Sequence, residues 1–93
     1  MNTNIIYDYK FITDAGTVQV YTGACTLGRL IFGSTLVGTV DIYDATSGTS
    51  NPVAHFSAGS VGNTYQFDCT LAFGIRVVTS SSSDDITITY KRT

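Results

Sequence analysis

The chain alternates along its length between short apolar segments and clusters of turn-forming residues. Candidate strands recur every eight to twelve residues, separated by Gly, Ser, Asn, Asp or Pro, and we count eight of them. None has the periodicity of an amphipathic helix, and the spacing leaves no room for βαβ units. The pattern predicts an all-β protein, specifically an antiparallel β-sandwich of about eight short strands, of which a compact jelly roll is one form.

Length and composition agree with one small domain. The 93 residues are 43% hydrophobic and 13% charged, and residues typical of strands and turns dominate while Glu is absent. This is enough apolar material for a single core but too short a chain for two. We predict one β-sandwich domain over residues 1–93, in which residues 1–12 form a partner-contacting N-terminal strand or arm.

Charge and hydropathy exclude two classes of partner. A protein that binds nucleic acid by neutralising phosphates needs a basic surface, whereas this chain has a net charge of −2. The longest nearly apolar run, Leu30 to Phe32, is far shorter than the roughly 20 residues of a membrane helix. We therefore expect neither nucleic acid nor membrane as a partner.

The residues that usually carry catalysis are nearly absent. The chain has one histidine, His55, and no Glu. It has no nucleotide-binding glycine motif. The adjacent carboxylates Asp84 and Asp85 follow a run of four serines, where we expect water to keep both ionised. We predict no enzyme activity, no catalytic residues and no cofactor.

Aspartates near strand ends leave one metal hypothesis open. Asp41 and Asp44 flank the fourth candidate strand, so a loop calcium site together with Asp84 or Asp85 is conceivable. The spacing matches no EF-hand, and solvated turn carboxylates are the alternative that we favour, so no metal site is predicted. For Asp41, and for Asp68 on a later strand, cross-strand pairing with Arg29 or Arg76 is the expected use.

The two cysteines, Cys25 and Cys69, fall on predicted strand faces that carry apolar residues. Buried free thiols are the interpretation that we favour, since the start of the chain lacks the basic and apolar segments of a secretory signal. A disulfide between the two sheets is the alternative. No CxxC motif is present, which argues against redox catalysis.

Several candidate strands carry apolar residues on both faces, which is more than a two-layer core requires. In the first segment Tyr7, Tyr9 and Phe11 share one face, and Ile6 and Ile12 lie on the other. Burial of the excess in a homo-oligomer or on a larger partner would account for this pattern. The candidate partner-contact residues are Ile6, Tyr7, Tyr9, Phe11, Ile12, Leu30, Phe32 and Tyr43.

Four segments resemble one class of known proteins. They are GTVDIYD at residues 38–44, TYQFD at residues 64–68, GIRVVTS at residues 74–80 and DITITY at residues 85–90. Together they resemble small β-rich structural proteins of tailed-bacteriophage virions, over roughly residues 25–91. The matching motifs are strands and turns and include no active-site residues.

The resemblance implies a capsid decoration or cement protein, made in the host cytoplasm and located in the virion. Its expected partners are the major capsid protein or other virion proteins, and a homo-oligomer, with a trimer favoured. The alternative is a carbohydrate- or host-binding β-sandwich module of a tail or head fibre, with Tyr43 and Asp44 as its candidate ligand contacts.

Overall fold

The computed structural model describes residues 7–92, and every regular element in that range is a strand. The eight strands are β1 (Asp8–Ile12), β2 (Gly16–Thr22), β3 (Cys25–Phe32), β4 (Val40–Tyr43), β5 (Pro52–Phe56), β6 (Thr64–Leu71), β7 (Gly74–Thr79) and β8 (Ile86–Arg92). The predicted all-β class and the number of strands are confirmed. No helix in the described range is long and apolar enough to cross a membrane.

The strands form two four-stranded antiparallel sheets that pack face to face. The first sheet has the order β1-β8-β3-β6 and the second β2-β7-β4-β5. Each strand of the first half of the chain pairs with one of the second half: β1 with β8, β2 with β7, β3 with β6 and β4 with β5. The chain thus runs as one long folded-over hairpin, which is the strand order of a jelly roll.

The core lies between the sheets and is built from alternate residues of the central strands. In β8, Ile86 and Ile88 are fully buried, whereas Thr87 and Thr89 point to the outer face. The other fully buried aliphatic side chains are Leu27, Leu30, Val40, Ile42, Ile75 and Val77. Placing one face of each strand inward removes these groups from water, which supplies the main stabilisation of the fold.

Aromatic rings close the core between β3, β5 and β6. The ring centroid of Phe56 lies 5.7 Å from that of Phe32, 4.7 Å from that of Tyr65 and 6.3 Å from that of Phe67. Phe56 belongs to the second sheet and the other three rings to the first. The cluster therefore joins the two layers through tilted and edge-to-face contacts.

Two bulges displace the alternation in the first sheet. The register of β3 against β8 shifts between Leu27 and Leu30, and that of β3 against β6 shifts between Leu27 and Arg29. An extra residue in a strand reverses which side chains face inward beyond it. Leu30 therefore lies in the core together with Leu27, and Ile31 faces outward, the reverse of what strict alternation along β3 would give.

The residues of two strands explain their positions within the sheets. The doubly apolar β3 lies between β8 and β6, as expected for a central strand, and β5, which begins at Pro52, is an edge strand. The edges of the first sheet are β1 and β6, and those of the second are β2 and β5. The edge position of β1 leaves one side of that strand without a neighbouring strand.

Candidate protein-contact surface

Strand β1 and the residue before it carry a row of exposed aromatic side chains on the outer face of the first sheet. Tyr9 lies opposite Thr89 and Phe11 opposite Thr87, and both threonines face away from the core. The exposed fractions are 42% for Tyr7, 72% for Tyr9 and 54% for Phe11. We call these three residues the aromatic ridge. Large exposed rings clustered in this way are typical of contact surfaces.

A groove of about 400 Å³ adjoins the aromatic ridge on the same face of the sheet. It is lined by Tyr7, Gly28, Arg29, Ile31, Asp68 and Thr89. Gly28 keeps it open, since a Cβ atom there would lie only 2.5 Å from Oγ1 of Thr89 and 3.1 Å from the ring of Tyr7. The bulge at Gly28 thus creates the concavity beside the ridge.

Polar groups of the groove are held by neighbouring strands. The side-chain amide of Gln66 donates a hydrogen bond to the carboxylate of Asp68, and Asp68 has a left-handed backbone with φ of 47°. The backbone N–H of Arg29 donates to Oγ1 of Thr89 at 2.8 Å. No ion pair involves the Arg29 guanidinium in the described range. The groove therefore presents a ring, a cation and an oriented carboxylate side by side.

Asp84 has a role that we did not predict. Instead of being solvated, its side chain is buried, with 2% exposure, and it accepts hydrogen bonds from the backbone N–H groups of Val37 at 2.6 Å and Gly38 at 2.8 Å. The serine run before it is also bonded, since Oγ of Ser80 accepts from the N–H of Thr39 at 2.7 Å. The loop between β7 and β8 therefore holds the loop between β3 and β4.

Asp44 performs the corresponding task at the other end of the sandwich. Its carboxylate accepts backbone N–H bonds from Ala72 at 2.9 Å, Phe73 at 2.8 Å and Gly74 at 3.2 Å. Desolvation raises the pKa of Asp44, but the three hydrogen bonds outweigh it, so the pKa lies below its ordinary value of 3.8. Its oxygens fix the turn between β6 and β7, which argues against the expected sugar contact there.

The expected pairing of Asp41 and Asp68 with arginines is wrong. Asp41 contacts Nδ1 of His55 on the neighbouring strand, and Asp68 accepts from Gln66. Arg76 instead donates through Nη1 to Oε1 of Gln19 at 3.1 Å. Within residues 7–92 no ion pair joins Arg29 or Arg76 to an aspartate. The single histidine thus lies in a surface pair on the second sheet.

Three of the candidate contact residues are core residues. Ile12, Leu30 and Phe32 are at most 3% exposed, and they pack between the sheets, so they are not available to a partner. Leu30 and Phe32 are turned inward by the bulge in β3, and Ile12 lies opposite Ile86. Tyr43 is half-buried beside Arg76 on the second sheet. Ile6 lies outside the described residues.

Cys25 and Cys69 are free thiols, Cys25 buried and Cys69 half-buried. Their strands are adjacent, with Cys25 opposite Leu71 and Cys69 opposite Leu27. Burial is the main cause that raises the pKa of each thiol. Both are thus held in the protonated, weakly nucleophilic form at neutral pH.

The loop aspartates do not assemble into a metal site in the part of the chain that the structure describes. No three His, Cys, Asp or Glu side chains group closely enough there to hold an ion. Asp44 and Asp84, two of the aspartates named in the calcium hypothesis, lie in loops at opposite ends of the sandwich and use their oxygens on backbone N–H groups.

Sequence reasoning found the aromatic ridge but missed the groove. It also missed the hydrogen bonds by which Asp84 and Asp44 each hold a second loop, which we call the loop clamps. The ridge follows from simple alternation in β1. A glycine inside an apolar strand, as at Gly28, is a signal for a bulge and could have indicated the groove. The clamps depend on contacts between loops that are distant in sequence, for which a single sequence carries no signal.

Comparison of the chain with protein-family models, curated proteins and solved structures gave no match. The function is therefore inferred from the geometry of the surface and from the sequence resemblance.

Proposed function

We propose that the chain is a structural protein of a tailed-bacteriophage virion, which decorates the head and stabilises it through contacts with the major capsid protein or another virion protein. The observation that carries the proposal is the aromatic ridge, which a two-layer sandwich leaves exposed on a rigid sheet. The resemblance of the four strand-and-turn segments to virion proteins supports the same assignment.

The physical requirements of a decoration protein fit this surface. Such a protein stabilises a shell by burying complementary surface across subunit junctions, and aromatic residues contribute strongly to contacts of this kind. Tyr9 and Phe11 belong to a hydrogen-bonded strand, so little backbone freedom is lost when a partner covers them. Further exposed apolar groups, Val37 and Val61, lie in loops at one end of the sandwich and offer a second contact point.

The test uses shells assembled from the major capsid protein of the phage that encodes the chain. We expect the purified chain to co-sediment with the shells saturably and to raise their melting temperature. The double variant Tyr9→Ala/Phe11→Ala should bind at least about tenfold more weakly, a loss of about 1.4 kcal/mol.

Phe73→Ala is the matched control for the shell experiment. Phe73 is as exposed as Phe11 but lies in the turn between β6 and β7. It should leave shell binding unchanged. Failure of the unmodified chain to bind shells would refute the proposal, and equal losses in the double variant and the control would remove the ridge as its basis.

The groove favours a second candidate function, a carbohydrate-binding module of a virion fibre. A tyrosine ring can stack on a sugar face, and the cationic Arg29 and the anionic Asp68 beside it can hydrogen-bond the sugar hydroxyls. Binding on a glycan array that is lost in Arg29→Ala and in Asp68→Ala, but kept in Tyr43→Ala, would establish it. An array on which the chain binds no glycan would exclude this candidate for the glycans tested.

A further inference from the structure

Strand β1 differs from the other three edge strands of the sandwich. Within residues 7–92 the register of β6, β2 and β5 against their neighbours is interrupted, and β5 also begins at Pro52. Bulges and prolines of this kind protect sheet edges from pairing with other chains. Strand β1 has neither, since it pairs with β8 in continuous register from Asp8 to Ile12.

The edge of β1 is protected by its short length and by a lysine. Lys10 lies opposite Ile88, on the side of the sheet that faces the core, but it is exposed at the edge. No carboxylate lies within ion-pair distance of Lys10 in the described structure. Asp8, two residues earlier on the same side, contacts Nε of Arg92 at 3.2 Å. An edge lysine resists an apolar strand but accepts one that carries a carboxylate opposite it.

The order of residues in β1 makes this strand complementary to itself. When two copies run antiparallel about Tyr9, Asp8 of one lies opposite Lys10 of the partner subunit, and its Lys10 lies opposite Asp8 of the partner subunit. Tyr9 then faces its own equivalent, and Tyr7 faces Phe11 of the partner subunit. Opposite charges and aromatic rings in direct cross-strand positions are both favourable pairs.

The backbone permits the same pairing. In an antiparallel ladder, residues alternate between hydrogen-bonded and non-hydrogen-bonded pairs. If the free N–H and C=O groups of the edge belong to Tyr9, the two Tyr9 residues exchange hydrogen bonds. If they belong to Asp8 and Lys10, these two exchange them with the partner subunit. Either pattern is symmetric about Tyr9.

We propose that two copies of the chain pair through β1 about a two-fold axis at Tyr9. The two first sheets then form one continuous sheet of eight strands, four from each copy. Its outer face carries both aromatic ridges next to each other, and the ridge remains open to a further partner. The charge pattern favours this two-fold dimer over the trimer expected from the sequence, and the inference does not depend on the capsid assignment.

The first test reverses one charge at a time. Lys10→Asp leaves two acidic residues on β1 and Asp8→Lys leaves two basic ones, so each variant repels its own copy. By sedimentation equilibrium we expect the unmodified chain to dimerise, each variant to dimerise at least about tenfold more weakly, and an equimolar mixture of the two to recover the dimer. The matched control, Lys91→Asp on the outer face of β8, should dimerise normally.

A second variant serves if a charge reversal prevents folding. A cysteine at position 9 would face its own equivalent, so Tyr9→Cys should give a dimer linked between the two copies of position 9 on oxidation, located by peptide mapping. Phe11→Cys faces Tyr7 of the partner subunit and should not link to itself. A chain that is monomeric or trimeric at all concentrations, or variants that fail to recombine, would overturn the proposal.

Discussion

At the scale of single residues, two aspartates hold the loops of the sandwich. Asp84 and Asp44 lie in loops at opposite ends of the strands, and each accepts backbone N–H groups from a second loop. An acidic side chain is suited to this task because it carries only acceptors, and it makes stronger bonds to N–H groups than a neutral oxygen does. The chain thus uses carboxylates as structural groups.

Replacing Asp84 with Asn should destabilise the fold by about 1–3 kcal/mol, because one of the two backbone N–H groups that it binds loses its acceptor and the new side-chain NH₂ is buried without one. Urea unfolding at neutral pH measures the change. The matched variant is Asp85→Asn, since no hydrogen bond to that carboxylate is found in the described structure, and it should change stability by less than about 0.5 kcal/mol. Equal effects of the two substitutions would contradict the role of Asp84.

Asp44 should make stability depend on acid pH. Its folded pKa is lowered, so its contribution is fully present above the ordinary value of 3.8 and is lost as the pH falls through the folded pKa. Asp44→Asn should therefore cost about 1–2 kcal/mol at about pH 6, and the gap to the unmodified chain should narrow at about pH 3.

Urea titrations of both proteins at the two pH values give the gap between Asp44→Asn and the unmodified chain. Asp14→Asn is the control, since Asp14 is exposed in the loop between β1 and β2. It should follow the unmodified chain at both pH values. A gap for Asp44→Asn that stays constant with pH would show that the charge of Asp44 does not contribute.

At the scale of elements, the bulges in β3 and β6 decide which residues reach the surface. Gly28→Ala should destabilise the sandwich by about 1–3 kcal/mol, because the added methyl group overlaps Thr89 of the neighbouring strand β8. Thermal or urea unfolding measures it. Gly33→Ala, whose nearest neighbour would be Asp85 at 3.3 Å, is the control with the smaller expected loss. If Gly33→Ala lost more stability than Gly28→Ala, the bulge at Gly28 would tolerate a side chain.

The same bulges mark the limit of prediction from the sequence. The number of strands, the central position of β3 and the edge position of β5 could be predicted, because alternation and turn residues are local signals. The inward turn of Leu30 and Phe32 could not, since one extra residue reverses a strand's faces and depends on its neighbours. The ridge was predictable because β1 contains no bulge.

At the scale of the whole molecule, most of the apparent excess of apolar residues belongs to the core. Phe32 packs against Phe56 across the two sheets, so Phe32→Ala should cost about 3–5 kcal/mol in urea unfolding. Phe11→Ala, on the exposed ridge, should cost less than about 0.5 kcal/mol. If Phe11 proved as important for stability as Phe32, the ridge would be part of the core and not a contact surface.

The nested pairing of the strands also constrains how the chain folds during its synthesis. Strand β1 pairs with β8, the strand farthest from it along residues 7–92, so the first sheet cannot be completed until the residues up to Arg92 have been translated. Pairings between such distant segments form slowly, in milliseconds to seconds for proteins of this kind. Until then both edges of β1 are unpaired. Chaperones that keep nascent chains apart would prevent β1 from pairing with a second copy before the sandwich has folded.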